Sequence, residues 1–216
     1  MTDPRDFYTH ILWDWNGTLL CDVDASLGSV NRMFARRGLP QITLAYYQAA
    51  ISLPIRGFYE TFFDLDAEDY NALLLEYNEN YEELLPGCGL TPGVREVLAR
   101  AHERGIRQAI VSSSESGQLL RVLSRFEIAD YFDAVLGAEH YFTDSKIERA
   151  RAYLQGCGDA AGHVLAIGDL RYDAEMAEAV GADCILLTSG HHGEAQFQGV
   201  NARIVGNVVK ILEYIS

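Results

Sequence analysis

The chain has 216 residues, 49% of them hydrophobic and 22% charged, with 5 prolines, no low-complexity run and a formal charge of −14. That length suits one substantial core, alone or carrying a small insertion, and is too short for two full-sized domains. The acidic balance, 31 Asp and Glu against 17 scattered Lys and Arg, excludes a nucleic-acid backbone and an anionic membrane surface as partners.

The first twenty residues lack the basic, apolar and small-residue regions of a secretory signal, and no stretch is long enough to span a bilayer. Cys21, Cys88, Cys157 and Cys184 lie far apart with no C-x-x-C pair, which fits reduced thiols and a cytoplasmic protein. No internal repeat marks the chain, and its oligomeric state is left open.

In chain order, the apolar run His10-Ile11-Leu12-Trp13 reads as a strand that stops at Asp14 and enters a turn at Asn16-Gly17. The stretch from Asp22 to Leu85, rich in Tyr, Leu and Glu, reads as several helices. Beyond Pro86-Gly87, Thr91 and Pro92 suit the start of a helix carrying Val94, Val97, Leu98 and Ala101 and stopping at Gly105.

Strands follow at Gln108–Val111, Ala134–Leu136, Val164–Ile167 and Cys184–Leu187, each an unalternating apolar run of the kind covered on both faces. Between them lie helices from about Glu115 to Arg125, from a cap at Asp144 or Ser145 through Ile147, Ala150 and Leu154, and from Asp173 to Gly181. Alternation of strand and helix predicts an α/β fold: a Rossmann-like parallel sheet flanked by helices, with an inserted all-helical cap. The expected division is a core of residues 1–20 and 86–216 and a cap of residues 21–85, joined at Leu20-Cys21-Asp22 and Pro86-Gly87.

Ligands of an open parallel sheet bind beyond the carboxyl ends of its strands. Asp14, Ser112 and Asp169 follow three of the runs, Asp173 lies a helical turn beyond Asp169, and Lys146 opens the intervening helix. These residue types suit phosphoryl transfer. A carboxylate can attack phosphorus and form an aspartyl-phosphate that water then opens; clustered carboxylates hold Mg²⁺; an ammonium and a hydroxyl steady the charge on the non-reacting oxygens.

Asp14-Trp15-Asn16-Gly17-Thr18-Leu19, Ser112, Lys146 and Gly168-Asp169-Leu170-Arg171-Tyr172-Asp173 together resemble the four motifs of the haloacid dehalogenase-like hydrolase superfamily. The likeness spans nearly the whole chain, and Pro92-Gly93-Val94 with the helical insertion extends it to the phosphoglycolate phosphatase branch. The resemblance implies a phosphatase with Asp14 as nucleophile. Asp14, the Asn16 main-chain carbonyl and Asp169 would bind Mg²⁺ with Asp173 in support, and Asn16, Gly17, Ser112, Ser113 and Lys146 would hold a small phosphorylated metabolite.

Asn16 departs from that pattern, because phosphatases of the family carry aspartate there as general acid and base. An amide does neither, and a positioned acid or base is worth about 10²–10⁴ in rate. Slow hydrolysis, or a regulatory protein that binds a phosphometabolite with little turnover, are the two expectations. Lysine-imine chemistry, which some relatives perform through a cap lysine, is excluded because Lys146 and Lys210 are the only lysines. Dehalogenation would need an aromatic residue at position 16. A signalling receiver domain, which also combines Asp, Ser or Thr and Lys, does not explain the insertion.

Three further residues face plainer alternatives. Arg56, in Leu53-Pro54-Ile55-Arg56-Gly57, could reach over the site to a substrate anion or be a solvated surface charge. His191 or His192, after the Cys184–Leu187 strand, could replace the missing acid or sit in a polar loop. His10 reads as structural. The glycine clusters around Cys88 and Cys157 do not complete G-x-G-x-x-G, and no P-loop occurs.

Overall fold

The computed structural model describes residues 8–53, 55–139, 145–158 and 163–215. The elements in chain order are β1 (His10–Trp13), β2 (Leu20–Cys21), α1 (Val23–Arg36), α2 (Leu44–Ala50), α3 (Arg56–Glu60), α4 (Tyr70–Leu84), β3 (Gly89–Leu90), α5 (Val94–Glu103), β4 (Arg107–Glu115) and α6 (Ser116–Leu123). They continue with β5 (Ala134–Ala138), α7 (Lys146–Gly156), β6 (Val164–Gly168), α8 (Arg171–Val180), β7 (Asp183–Leu187), β8 (Arg203–Val205) and α9 (Leu212–Ile215). Six strands form one sheet in the order β5-β4-β1-β6-β7-β8, and all its pairings are parallel. The fold is the expected α/β sheet flanked by helices.

β1 lies at the centre, with Leu12 beside Ala109 on one side and Ala166 on the other. Its side chains alternate between two cores. Ile11 and Trp13 pack with Val97, Leu98 and Ala101 of α5, whereas Leu12 packs with Ala150 of α7 and Ala174 of α8. Burial of both faces explains why this strand is an unbroken apolar run, and each fully buried large side chain contributes about 1.5–3 kcal/mol. A polar intrusion into this core is satisfied: Gln108 accepts from the Trp13 indole at 3.0 Å and donates to the Leu98 carbonyl at 3.1 Å.

The chain leaves β1 through the short antiparallel pair β2–β3, after which α1 to α4 build a separate apolar cluster around Val30, Met33, Phe34, Tyr47, Phe58 and Leu73. Two local expectations are corrected. Gly93, not Thr91 or Pro92, caps α5, because its φ of 91° turns the chain into the helix while Val94 N–H bonds the Thr91 carbonyl. Ser112, Ser113 and Ser114 belong to β4 itself, which runs on to Glu115 past a register shift against β5. Ser145 caps α7 by accepting from Glu148 N–H; Asp144, the alternative cap, lies outside the described residues. Among the described residues, no helix is long and apolar enough to cross a membrane.

Candidate active site

The sheet delivers its carboxylates to one edge. Asp14 follows β1 and its N–H bonds the Ile167 carbonyl of β6 at 2.8 Å, so β1 and β6 are laced together at the point where they end. Asp169 follows β6, and Asp173 occupies the first turn of α8. Asp14, Asp169 and Asp173 are all buried and bring ligand oxygens within 4.8 Å of one another.

Lys146 enters this cluster from the start of α7, 3% exposed, and hydrogen-bonds Asp14 Oδ1 together with Asp173 Oδ1, the latter at 2.6 Å. Asp173 Oδ2 accepts from the N–H groups of Asp169 and Leu170 at 3.0 and 2.9 Å, which fixes the loop that presents Asp169. Asp169 Oδ2 accepts from His191 N–H at 2.5 Å and its Oδ1 from Thr18 Oγ1 at 3.2 Å. The space around these carboxylates is kept by glycine. A Cβ on Gly17 would lie 2.1 Å from Asp169 Oδ2, one on Gly190 2.2 Å from the same atom, and one on Gly168 2.1 Å from Asp173 Cγ.

Burial pushes the Asp14 carboxyl up to about 6, opposed by Lys146 and assisted by the Asp173 charge. Burial likewise drives Asp169 well up, with His191 pulling it down and Asp14 pushing it further up. Burial alone would lower Lys146, but the two carboxylates hold it charged, above its usual value. Three carboxylates facing one ammonium leave two negative charges, which a divalent cation cancels, and the all-oxygen donor set is the kind that Mg²⁺ takes. The residues present therefore fit a bound Mg²⁺.

The sequence-predicted phosphate ligands gather on the same edge. Ser112 is buried and its Oγ accepts from Ser114 N–H at 3.0 Å, so its own hydrogen is the one that can turn to a phosphoryl oxygen. Asp14, Asn16, Ser113, Ser114 and Lys146 line a cavity of about 660 Å³ that reaches from the carboxylates into α1 to α4. Arg56 is not among its lining residues: it is exposed, paired with Glu60 at 2.8 Å and stacked over Tyr70. His10 sits at the opposite end of β1 beside Thr9.

Asn16 is engaged on both ends of its amide. Nδ2 donates to Asp22 Oδ2 at 2.8 Å and to the Tyr81 hydroxyl at 2.9 Å, and Oδ1 accepts from Ser114 Oγ at 2.6 Å. Asp22, one of the residues that sequence reasoning placed only at a joint, is the hub of this network. It also accepts from Gly17 N–H at 2.7 Å and from Tyr81 at 2.6 Å, and its Oδ1 lies 3.5 Å from His191 Nε2. Burial would raise Asp22, but His191, Tyr81 and Asn16 hold it below the usual carboxylate range. Burial would lower His191, and Asp22 instead lifts it to about 9.

The two histidines part company. His191 faces the site, with Nδ1 3.0 Å from the Tyr47 hydroxyl. His192 turns away: its Nδ1 accepts from Arg171 N–H at 3.2 Å and its Nε2 donates to the Ile51 carbonyl at 2.9 Å, the pattern of a neutral ring.

The family model described as haloacid dehalogenase-like hydrolase matches residues 11–187. The chain belongs to the haloacid dehalogenase-like hydrolase family. A phosphoglycolate phosphatase from Aliivibrio fischeri is 26% identical over 197 residues, covering 85% of this chain and 86% of that protein. A phosphoglycolate phosphatase from Xanthomonas campestris is 37% identical over 105 residues, covering 48% of each. In three dimensions the chain is similar to a haloacid dehalogenase-like family hydrolase from Streptococcus pneumoniae, with a TM-score of 0.84 at 18% identity over 97% of this chain and 99% of that one. It is an enzyme of the haloacid dehalogenase-like phosphatase type, in the phosphoglycolate phosphatase-like branch.

Proposed function

We propose that the protein is a Mg²⁺-dependent phosphohydrolase that takes the phosphoryl group of a small phosphomonoester onto Asp14. The observation that carries this reading is the convergence of Asp14, Asp169, Asp173 and Lys146, buried at the carboxyl edge of the sheet and open to a cavity. Asp14 Oδ1 is held by Lys146, which leaves Oδ2 to attack phosphorus; the ester oxygen departs, and water later cleaves the acyl-phosphate to regenerate Asp14. Asp14, Asp169 and Asp173, with the Asn16 carbonyl, would hold Mg²⁺, whose charge offsets that of the transferring group.

Lys146 and the Ser112 hydroxyl supply the donors for the remaining phosphoryl oxygens. We take α1 to α4 as the cap over the site and the cytoplasm as the working compartment, in keeping with the four free cysteines. A small phosphorylated metabolite is the expected partner. Phosphate release from a panel of monoesters, with and without Mg²⁺ and in an Asp14→Asn variant, tests the reading. Metal-independent release, or release that survives Asp14→Asn, defeats it.

A second reading, tight phosphometabolite binding with little turnover, rests on Asn16, whose amide offers no proton to a leaving group and is already committed to Asp22, Tyr81 and Ser114. Calorimetric binding without measurable turnover would favour it.

A further inference from the structure

The cavity above Asp14 is walled by Tyr47, Phe58, Tyr59, Tyr70, Leu74 and Tyr77, all from α2 to α4. Its volume of about 660 Å³ lies in the range of sites that enclose drug-sized ligands, far beyond what a two-carbon acid occupies. Among the described residues, the wall from α2 to α4 offers no cation. Residues 21–85 contain no lysine or histidine and only four arginines.

Each of those arginines is already paired with glutamate away from the cavity lining. Arg32 bonds Glu83 at 2.7 Å, Arg36 bonds Glu76 at 3.0 Å, Arg37 bonds Glu68 and Glu76 at 2.7 and 2.8 Å, and Arg56 bonds Glu60 at 2.8 Å. Among the described residues, the cationic groups that do line the cavity, Lys146 and His191, face Asp14 with Asp173 and Asp22 respectively. Beyond these the described lining offers only neutral donors such as Ser26, Asn78 and Gln118, so a second anionic group on the substrate would be desolvated largely against aromatic rings with no free cation to pair with, a heavy cost.

A separate feature concerns the leaving oxygen. Asn16 provides no proton, and His191, the protonated ring facing the site, has Nδ1 on the Tyr47 hydroxyl at 3.0 Å and Nε2 3.5 Å from Asp22, so the site favours a departing group that is stable as its anion. A phenol, with an acidity near a pKa of about 10, leaves far more readily than an alkoxide. Aromatic rings also suit such a group by edge and offset stacking.

We infer that the substrate of this enzyme is an aryl phosphate monoester whose ring carries no second anionic group. The inference rests on the phosphatase reading above and adds which leaving group the site accepts. Three esters separate its parts: phenyl phosphate, benzyl phosphate, which keeps the ring but leaves as an alkoxide, and phosphoglycolate. The Mg²⁺-loaded wild-type protein should cleave phenyl phosphate with kcat/KM above that of phosphoglycolate by about 10- to 100-fold.

Benzyl phosphate should share the KM of phenyl phosphate but show kcat lower by about 10²–10⁴, the worth of a missing general acid. Calorimetry with uncleaved mimics should find phenylphosphonate bound at least about tenfold more tightly than phosphonoacetate. An Ile55→Arg variant, which sets a cation in the wall, should narrow both preferences.

Phosphoglycolate cleaved as well as phenyl phosphate, or benzyl phosphate turned over as fast as phenyl, overturns the inference while the phosphatase reading stands. If no ester releases phosphate in an Asp14-dependent way, the phosphatase reading falls and the inference with it. Phosphonoacetate bound as tightly as phenylphosphonate also overturns it.

Discussion

Restoring aspartate at position 16 would at first sight supply the missing acid, but the geometry forecasts a penalty. In Asn16→Asp, the two hydrogen bonds that Nδ2 makes to Asp22 and Tyr81 at 2.8 and 2.9 Å are replaced by an oxygen facing a buried carboxylate. The Ser114 bond to Oδ1 survives. A hydrogen bond to a charged group is worth about 1.5–3 kcal/mol, and repulsion between the buried charges adds to its loss. The expected destabilisation is about 2–4 kcal/mol near pH 7, a large share of the stability of any domain.

One proton shared between the introduced carboxyl and Asp22 would relieve the repulsion. That raises the pair's folded-state pKa above the unfolded carboxylate value, so the deficit should shrink as pH falls through the raised value. The double variant Asn16→Asp/Asp22→Asn turns the amide round and re-forms the bond, although the His191 pairing is weakened. Urea unfolding of the four metal-free proteins at about pH 7 and about pH 5 gives the cycle, with a favourable coupling of at least about 1 kcal/mol expected. A single variant as stable as wild type at the higher pH, or a coupling of zero, would refute the argument.

Other outcomes follow from the same contacts. Asp14→Asn should lower phosphate release by about 10⁴-fold or more while the fold, read by circular dichroism, persists. Lys146→Met strands two buried carboxylates, Asp14 and Asp173, and should cost about 3–5 kcal/mol in metal-free unfolding. Gly190→Ala drives a methyl to 2.2 Å from Asp169 Oδ2 and should weaken Mg²⁺ affinity by calorimetry about 10–100-fold. Because burial holds the metal-free Asp14 carboxyl up near about 6, Mg²⁺ binding should release a proton below that pH. Because burial also drives Asp169 up, affinity should fall at least about tenfold per pH unit on the acid side; an affinity independent of pH between about 5 and 7 would contradict the burial of these carboxylates.

The central strands were legible because burial on both faces writes them as unbroken apolar runs, and Asp14 stood out because β1 stops where its apolar run stops. β8 was not, since Arg203–Val205 is a three-residue edge strand with little burial to mark it. The sequence predicts a strand ending at Val111, where the apolar run gives way to serines, yet the backbone pairing extends through them. Asp22 escaped notice because its meaning depends on Tyr81 and His191, which approach only after the chain has folded back over 59 and 169 residues. Arg56 was different: Glu60, one helical turn on, is visible in the sequence, and the i,i+4 pairing it offers is the one the structure shows.

The loop after β7 touches both halves of the molecule at once. Gly190 O accepts from Gln48, His191 Nδ1 meets the Tyr47 hydroxyl, and His192 reaches the Ile51 carbonyl, while the backbone N–H of His191 grips Asp169. Lifting α2 from the sheet would thus loosen the same hook that aims the Asp169 carboxylate, a proposed Mg²⁺ ligand. Thermodynamic reciprocity then makes the two events one: an ion that stiffens Asp169 favours the closed helices, and a ligand that draws the helices down tightens the ion.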